Sequence, residues 1–362
     1  MATHFRPLRV KDIRRETADC VSVSFEIPEA WQEEFRYTQG QNVTVRTTLD
    51  GEEIRRSYSI CSSPDEQELR IAIKRQDYGK FSTFANSKLK KKTVLDVLPP
   101  TGRFYTNLDP VQKNNYLAMA AGSGITPIIS IIKTTLASEP RSSFTLIYGN
   151  RTRSSIIFRE QLEGIKNRYM DRFSIHHILS REKSDAPAHE GRIDEKKCSE
   201  LFQKLPSLRH SDQFFICGPE QMIVTVKNWL ERHGVQKSRI HFELFTVPGQ
   251  NNELSTAKPV SDKKTEEKSS HVTIRQDGIS FDFDLDFDGE PILEAALSQG
   301  ADLPFACKGG VCATCRAKLL EGKVEMDNNY ALEPEELEAG FILTCQSHPR
   351  SRTVRIDFDV RN

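Results

Sequence analysis

Long apolar runs are missing from this chain of 362 residues. No stretch of 18 or more uncharged apolar residues occurs, so no membrane span is expected. The amino terminus, MATHFRPLRV, has no apolar signal core behind its charges, which points to a cytoplasmic chain with reduced cysteines. Net charge is absent too, with 51 basic residues against 51 acidic. That balance speaks against a nucleic-acid binder, whose basic patch would dominate. The nine histidines form no H-x-x-x-H array, and neither a serine nucleophile elbow nor a supported acid pair is found. What is there is a soluble globular composition, 37% hydrophobic and 28% charged. At roughly 150 residues per domain, two or three folding units are expected.

The zero charge hides an asymmetry. Residues 271–362 hold 17 acidic side chains against 9 basic, while residues 1–270 hold 42 basic against 34 acidic. An acidic tail module is joined to a basic body. Between them, residues 246–270 have four apolar side chains and eight charges, the composition of a flexible linker. Residues 1–108 show short alternating stretches, CVSVSFEI (20–27), QNVTVRT (41–47), RSYSI (56–60) and LRIAIKR (69–75), broken by Gly, Pro and Asp turns. This spacing predicts an all-β sandwich or barrel. Across residues 109–245 apolar strands alternate with helical periods, which predicts a parallel sheet wrapped by helices. Residues 271–362 open with two strands around Asp277-Gly278, the second alternating strictly over 281–287.

The sharpest chemical signal lies in this last module. Cys307, Cys312 and Cys315 follow C-x4-C-x2-C, and Cys345 comes after 29 intervening residues. That is the spacing of plant-type [2Fe-2S] ligation. Structural zinc, the competing metal, more often takes two C-x2-C pairs or mixed Cys and His ligands. Cys20, Cys61 and Cys198 have no partner spacing and are expected to be packing residues.

A second signal is Ala121-Gly-Ser-Gly-Ile-Thr-Pro127, where an apolar strand meets glycines and then a helix. Free N–H groups and the helix dipole suit a pyrophosphate there; Thr126 is positioned to cap, and Pro127 suits a first helical turn. A tight structural turn is the alternative. Third comes Arg56-Ser57-Tyr58-Ser59, with Gly79-Lys-Phe-Ser82 downstream: a cation for a phosphate, a flat face for a ring and hydroxyls for hydrogen bonds.

Taken in order, RSYS, GKFS, AGSGITP and Cys217-Gly218-Pro219 resemble the flavin-dependent ferredoxin-NADP reductase superfamily, and CKGGVCATC with its distant cysteine resembles a plant-type ferredoxin. The resemblance spans nearly the whole chain outside the linker, in the domain order of reductase components of multicomponent oxygenases. It implies an antiparallel β-barrel holding FAD, a parallel-sheet α/β domain binding the nicotinamide nucleotide, and an α+β β-grasp domain carrying [2Fe-2S]. Hydride would pass from nicotinamide to flavin, and electrons would leave singly through the cluster to an oxygenase (hydroxylase or epoxidase) component. By the same resemblance Arg56 and Ser57 would contact FAD, Tyr58 would stack on its ring, and Ser59 would reach its reactive edge. Ile73 and Lys74 would line the site, with Gly79 and Ser82 on the pyrophosphate. Gly122, Gly124, Thr126 and Pro127 would receive the dinucleotide, with Cys217, Gly218 and Pro219 beside the nicotinamide. Glu243 and Phe245 match an E-x-F ending near the flavin. Tyr58, Ser59, Cys217 and Glu243 are thus the candidate catalytic residues. Ser180-Arg181 resembles a pair that holds the 2′-phosphate of NADPH, which favours NADPH over NADH, and Arg151 and Arg153 would add to it. Acceptors left open include a ring-hydroxylating dioxygenase, an alkane or phenol monooxygenase and a fatty-acyl desaturase. A non-catalytic electron-carrier adaptor is the alternative of another class.

Overall fold

A computed structural model describes residues 4–184, 186–245 and 269–360. The expected linker therefore lies outside the described residues, except Ser269 and Ser270, which are already strand. Two compact units are present, one of residues 5–244 and one containing the strands after residue 268.

The first unit begins with β1 (Arg6–Thr17), β2 (Cys20–Glu26), β3 (Asn42–Leu49), β4 (Glu52–Ser59), β5 (Leu69–Lys74), helix α1 (Lys80–Ser87) and β6 (Val94–Val97). All pairings are antiparallel, in the order β4-β3-β6-β1-β2-β5. A bridge between Ile60 and Ile71 joins the two ends and closes the barrel. Alternation places Val43, Val45, Ile71 and Ile73 inside with no exposed surface. The barrel also buries Arg70, which is held by Glu68, Asp12, Ser22 and Ser24. A buried guanidinium stays only where its donors are met in this way.

The same unit continues as β7 (Asn115–Ala121), α2 (Ile125–Ser138), β8 (Ser143–Asn150), α3 (Arg159–Arg168), β9 (Phe173–Leu179), α4 (Glu195–Lys204), β10 (Gln213–Cys217), α5 (Glu220–Arg232) and β11 (Ile240–Glu243). The strands are parallel, in the order β11-β10-β7-β8-β9. The chain runs outward from β7 to β9, then returns to add β10 and β11 on the other side. The direction of winding thus switches between β7 and β10, whose carboxyl ends are where such sheets receive ligands. Cys20, Cys61 and Ala72 of the barrel pack in one core with Ile125, Ile128 and Tyr148, so barrel and sheet share apolar contacts. Cys20, Cys61 and Cys198 are buried packing residues, as expected.

The second unit holds β12 (Ser269–Gln276), β13 (Ile279–Asp286), α6 (Ile292–Ser298), β14 (Arg316–Glu321), β15 (Val324–Met326), α7 (Pro334–Glu338), β16 (Phe341–Leu343), β17 (Ser347–Pro349) and β18 (Thr353–Asp357). A mixed sheet runs β13-β12-β18-β14-β16, with β15 and β17 paired apart. Asp277 and Gly278 both take positive φ, 56° and 74°, the geometry of a tight two-residue hairpin turn. β13 lies at the sheet edge with Phe283 and Leu285 buried and Asp282, Asp284 and Asp286 exposed.

Candidate functional site

The end of the barrel and the end of the parallel sheet meet at a hydrogen bond. β10 and β11 pair so that Cys217 is level with Glu243. Ser59, the last residue of β4, donates its hydroxyl to Glu243 Oε2 at 2.8 Å, joining residues 184 positions apart. Burial pushes the Glu243 carboxyl up to about 7, with the Ser59 hydrogen bond pulling the other way. Burial, reinforced by the Glu243 charge, holds the Cys217 thiol well above its ordinary range. Cys217 is therefore a neutral thiol rather than a thiolate nucleophile.

The rest of RSYS lies along β4. Tyr58 is half-buried, its ring centroid 5.7 Å from that of Phe81, and burial raises its hydroxyl. Ser57 Oγ is 3.0 Å from Thr44 Oγ1. Arg56 is exposed, with Nη1 donating to the Arg55 carbonyl at 2.7 Å. Asn42, level with Ser59 on β3, is buried with an Oδ1 that has no partner among the described residues. An unmet buried acceptor beside Ser59 fits a polar ligand at this end of the barrel.

Two residues expected at the flavin have buried side chains. Ile73 has no exposed surface and is sealed in the barrel core, because alternation along β5 turns Lys74 outward instead. Ile73 can line a ligand only with its backbone. Ser82 is almost fully buried; its Oγ accepts from the Gln76 N–H and donates to the Gly79 carbonyl, each at 3.1 Å. It shapes the turn into α1, where Gly79 stands at the N-cap. Lys74 Nζ lies 3.7 Å from the Asp19 carboxylate.

At the switch point the two glycine motifs interlock. A methyl group on Gly124 would lie 2.1 Å from the Cys217 carbonyl oxygen and 2.7 Å from the Gly218 nitrogen. Only a residue without a side chain allows the loop after β7 to lie against the loop after β10. Gly122 precedes it with φ of 55°, and its carbonyl accepts from the Tyr148 hydroxyl at 2.9 Å. Pro219 is the N-cap of α5. Thr126 departs from expectation: α2 begins at Ile125 with Gly124 as its N-cap, and the Thr126 hydroxyl donates to the Ser123 carbonyl at 3.0 Å. The amides at this helix start have no side-chain cap from Thr126, and Pro127 sits buried in the first turn. The Ile125 N–H donates back to the Gly122 and Ser123 carbonyls, and the side-chain-free surface of the two glycines fits the close approach of a dinucleotide.

Beyond β9, the backbone N–H groups of Ser180 and Arg181 donate to the carbonyls of Asn150 and Arg151, each at 2.9 Å. Arg151 and Arg181 are thereby brought side by side, and both are exposed. Arg153 is diverted. Its backbone N–H donates to Glu182 at 2.8 Å and its guanidinium lies 3.5 Å from the same carboxylate. Phe245 is 41% exposed.

In the second unit Cys312, Cys315 and Cys345 are buried and Cys307 is partly exposed. Among the described residues no three side chains of the metal-ligating types converge on a single ion position. The Cys307 thiol is a neighbour of the Cys312 thiol, and the Cys315 thiol of the Cys345 thiol. These contacts lower the Cys307 and Cys345 thiols and raise their partners. Four cysteines gathered from one loop and one distant segment fit the plant-type [2Fe-2S] spacing. Gly310 takes φ of 76°, and a methyl group there would lie 2.9 Å from the Asn328 carbonyl oxygen.

The matches to known proteins follow this division. Three family models match: an oxidoreductase FAD-binding domain over residues 7–105, an oxidoreductase NAD-binding domain over 119–228, and a 2Fe-2S iron-sulfur cluster binding domain over 274–350. The chain is 43% identical over 359 residues to one of the subunits of 1,2-phenylacetyl-CoA epoxidase from Escherichia coli K12, covering 99% of both chains. It is 32% identical to the ferredoxin reductase component of 3-ketosteroid-9-alpha-monooxygenase from Rhodococcus rhodochrous, covering 97% of this chain and 96% of that one. Among solved structures, phthalate dioxygenase reductase matches 98% of both chains with a TM-score of 0.59 at 22% identity. A type IV self-sufficient cytochrome P450 monooxygenase matches 97% of this chain and 41% of its own length, with a TM-score of 0.69 at 19% identity. Of the described helices, none is long and apolar enough to cross a membrane. The chain belongs to the family of oxygenase reductase components that join an FAD-binding barrel, a NAD-binding α/β domain and a 2Fe-2S cluster-binding domain in one polypeptide.

Proposed function

We propose that this chain takes reducing equivalents from NADPH and delivers them, through FAD and a [2Fe-2S] cluster, to the oxygenase component of a phenylacetyl-CoA epoxidase. The observation that carries this reading is the end-to-end identity of 43% with a component of such an epoxidase. When bound, the cofactors supply the conversion of a two-electron hydride donor into single-electron transfers. The chain's own residues bind, orient and hold protons. Arg56, Ser57, Tyr58, Lys74 and Gly79 would hold the flavin, with Ser82 shaping the loop beneath it. Gly122, Gly124, Thr126, Pro127, Gly218 and Pro219 would seat the nicotinamide nucleotide. Arg181 with Ser180, and Arg151 beside them, would bind its 2′-phosphate, since a guanidinium matches a phosphate in charge and geometry. Glu182, next to Arg181 in the chain, is occupied by Arg153. Ser59, Glu243 and Cys217 would sit at the reacting edge, where a carboxyl that is neutral below pH about 7 holds a proton next to the Ser59 hydroxyl. Cys307, Cys312, Cys315 and Cys345 would ligate the cluster. All eight cysteines stand as free thiols, which fits a reducing compartment, and the cytoplasm is the proposed location.

The test is reconstitution. Purified protein, NADPH, oxygen and phenylacetyl-CoA are combined with the remaining components of the epoxidase, and epoxide is followed against NADPH consumed. Coupled product formation supports the reading. NADPH oxidation with no product, alongside productive coupling to a ring-hydroxylating dioxygenase, would replace the acceptor.

A further inference from the structure

Three candidate cluster ligands come from one loop, and the fourth arrives from a separate segment. The residue after Cys345 reaches across the gap. Gln346 is buried. Its Nε2 donates to the Lys308 carbonyl at 3.1 Å, inside the ligand loop, and to the carbonyl of Cys345 at 2.8 Å. Its Oε1 accepts from Asn328 Nδ2 at 3.1 Å. Both amide hydrogens and the carbonyl oxygen are used, so this side chain is fixed in one orientation.

The segment it grips is one that would not hold itself. Lys308 takes φ of 52°, in the left-handed region that a lysine adopts only when its surroundings impose it. Gly310 is crowded against the Asn328 carbonyl and Gln346 Cγ, and its own carbonyl accepts from the Tyr330 N–H at 3.1 Å. Gln346 is thus the point where ligand loop, fourth ligand and the Asn328–Tyr330 segment converge. Thr344, on the other side of Cys345, also reaches the loop, donating its hydroxyl and its N–H to the Cys315 carbonyl at 3.0 and 3.2 Å. That contact extends the pairing of β14 with β16, in which Arg316 opposes Leu343. Gln346 likewise follows strand pairing, since the Asp327 N–H donates to its carbonyl at 2.9 Å beside the Met326–Ser347 pair of β15 and β17, but its side chain alone carries the tie on to the Lys308 carbonyl.

We propose that Gln346 is a positioning residue for the iron-sulfur cluster, tying the Cys345 segment to the Cys307–Gly310 stretch so that the four thiols are in place before iron and sulfide bind. This rests on the assignment of those cysteines as ligands. A loop left loose must be ordered as the cluster binds, which weakens retention. Removing the amide donors leaves the Lys308 and Cys345 carbonyls without them, and a carboxylate in their place repels both.

The experiment uses the full chain, reconstituted with ferrous iron and sulfide, as the unaltered protein and as Gln346→Leu, Gln346→Glu and Thr344→Val. Iron and sulfide content, the rate of iron loss to a ferrous chelator, visible circular dichroism, and the electron paramagnetic resonance spectrum of the reduced cluster are measured. Far-ultraviolet circular dichroism and Tm check the fold. Both Gln346 variants should lose iron about tenfold faster with shifted spectra, the effect of about two net hydrogen bonds. Thr344→Val, which keeps its N–H contact, should change the rate by about threefold or less. Release rates and spectra equal to the unaltered protein overturn the proposal. So does faster release matched by a lower Tm with an unchanged spectrum, which is a purely structural role. An unaltered protein that takes up neither iron nor sulfide refutes the ligand assignment instead, before any variant is compared.

Discussion

The cluster loop and the Ser59–Glu243 junction carry chemistry in opposite ways. Three of four thiols lie within nine residues, and the spacing alone names the metal centre. The junction has no local signature. Ser59, Cys217 and Glu243 come from β4, β10 and β11, and their meeting depends on the barrel and the parallel sheet sharing a core. The first kind of site is sensitive to its own side chains; the second is sensitive to whatever aligns two sheets.

The largest expected effect tests the loop. Cys312→Ser should reduce NADPH-driven cytochrome c reduction to background while leaving flavin bleaching by NADPH intact; full cytochrome c turnover would show that electrons leave elsewhere. Next, Gly124→Ala should lower kcat/KM for NADPH about a hundredfold, because its methyl group forces the two loops apart and small misplacements at a reacting centre are costly. An unchanged KM and kcat would mean that the interlocked glycines are only packing. Glu243→Gln should be milder. In the unaltered protein flavin reduction should slow as pH rises through about 7, where the carboxyl ionises and places a negative charge at the site. The variant should show a flat profile in that range, and a persistent step would assign the titration to another group. The same shift carries a sign for stability. A buried carboxyl that keeps its proton to about 7 binds one more proton folded than unfolded above the ordinary carboxylate range. Stability should therefore fall as pH rises toward 7, and less so in Glu243→Gln, as measured by urea unfolding. The smallest expected effect is at the sheet edge. Arg181→Ala should raise the KM for NADPH about fivefold to tenfold and leave that for NADH nearly unchanged, the loss of one charge-assisted contact. Equal changes for both nucleotides would remove the 2′-phosphate role.

Much of the architecture is legible in the residues, and what escapes has physical reasons. Strictly alternating stretches and strand-helix repetition announce the barrel and the parallel sheet, because burial on one face or on both leaves a period. β1 is missed: in RPLRVKDIRRET the buried positions Leu8, Val10 and Thr17 are separated by charged residues. The Thr126 cap fails since the helix begins two residues before Pro127, behind a glycine whose place is set by β10 rather than by helix propensity. Alternation along β5 turns the Ile73 side chain into the barrel core, a face that naming it beside Lys74 does not distinguish. Glu182 escapes notice because sequence shows no acid directly after β8, while the fold delivers one from beyond β9. Pairings between distant side chains, the Ser59–Glu243 bond above all, leave no trace in any single segment.

The edge strand β13 has a further consequence. An open sheet margin offers unpaired amides and carbonyls to any passing extended chain, another copy of itself included. Asp282, Asp284 and Asp286 line that margin with like charges. Two such margins repel before their backbones can engage, so the domain should remain dispersed at concentrations where an uncharged edge would seed fibres. Replacing the three aspartates with threonine would remove that protection while leaving the buried Phe283 and Leu285 in place.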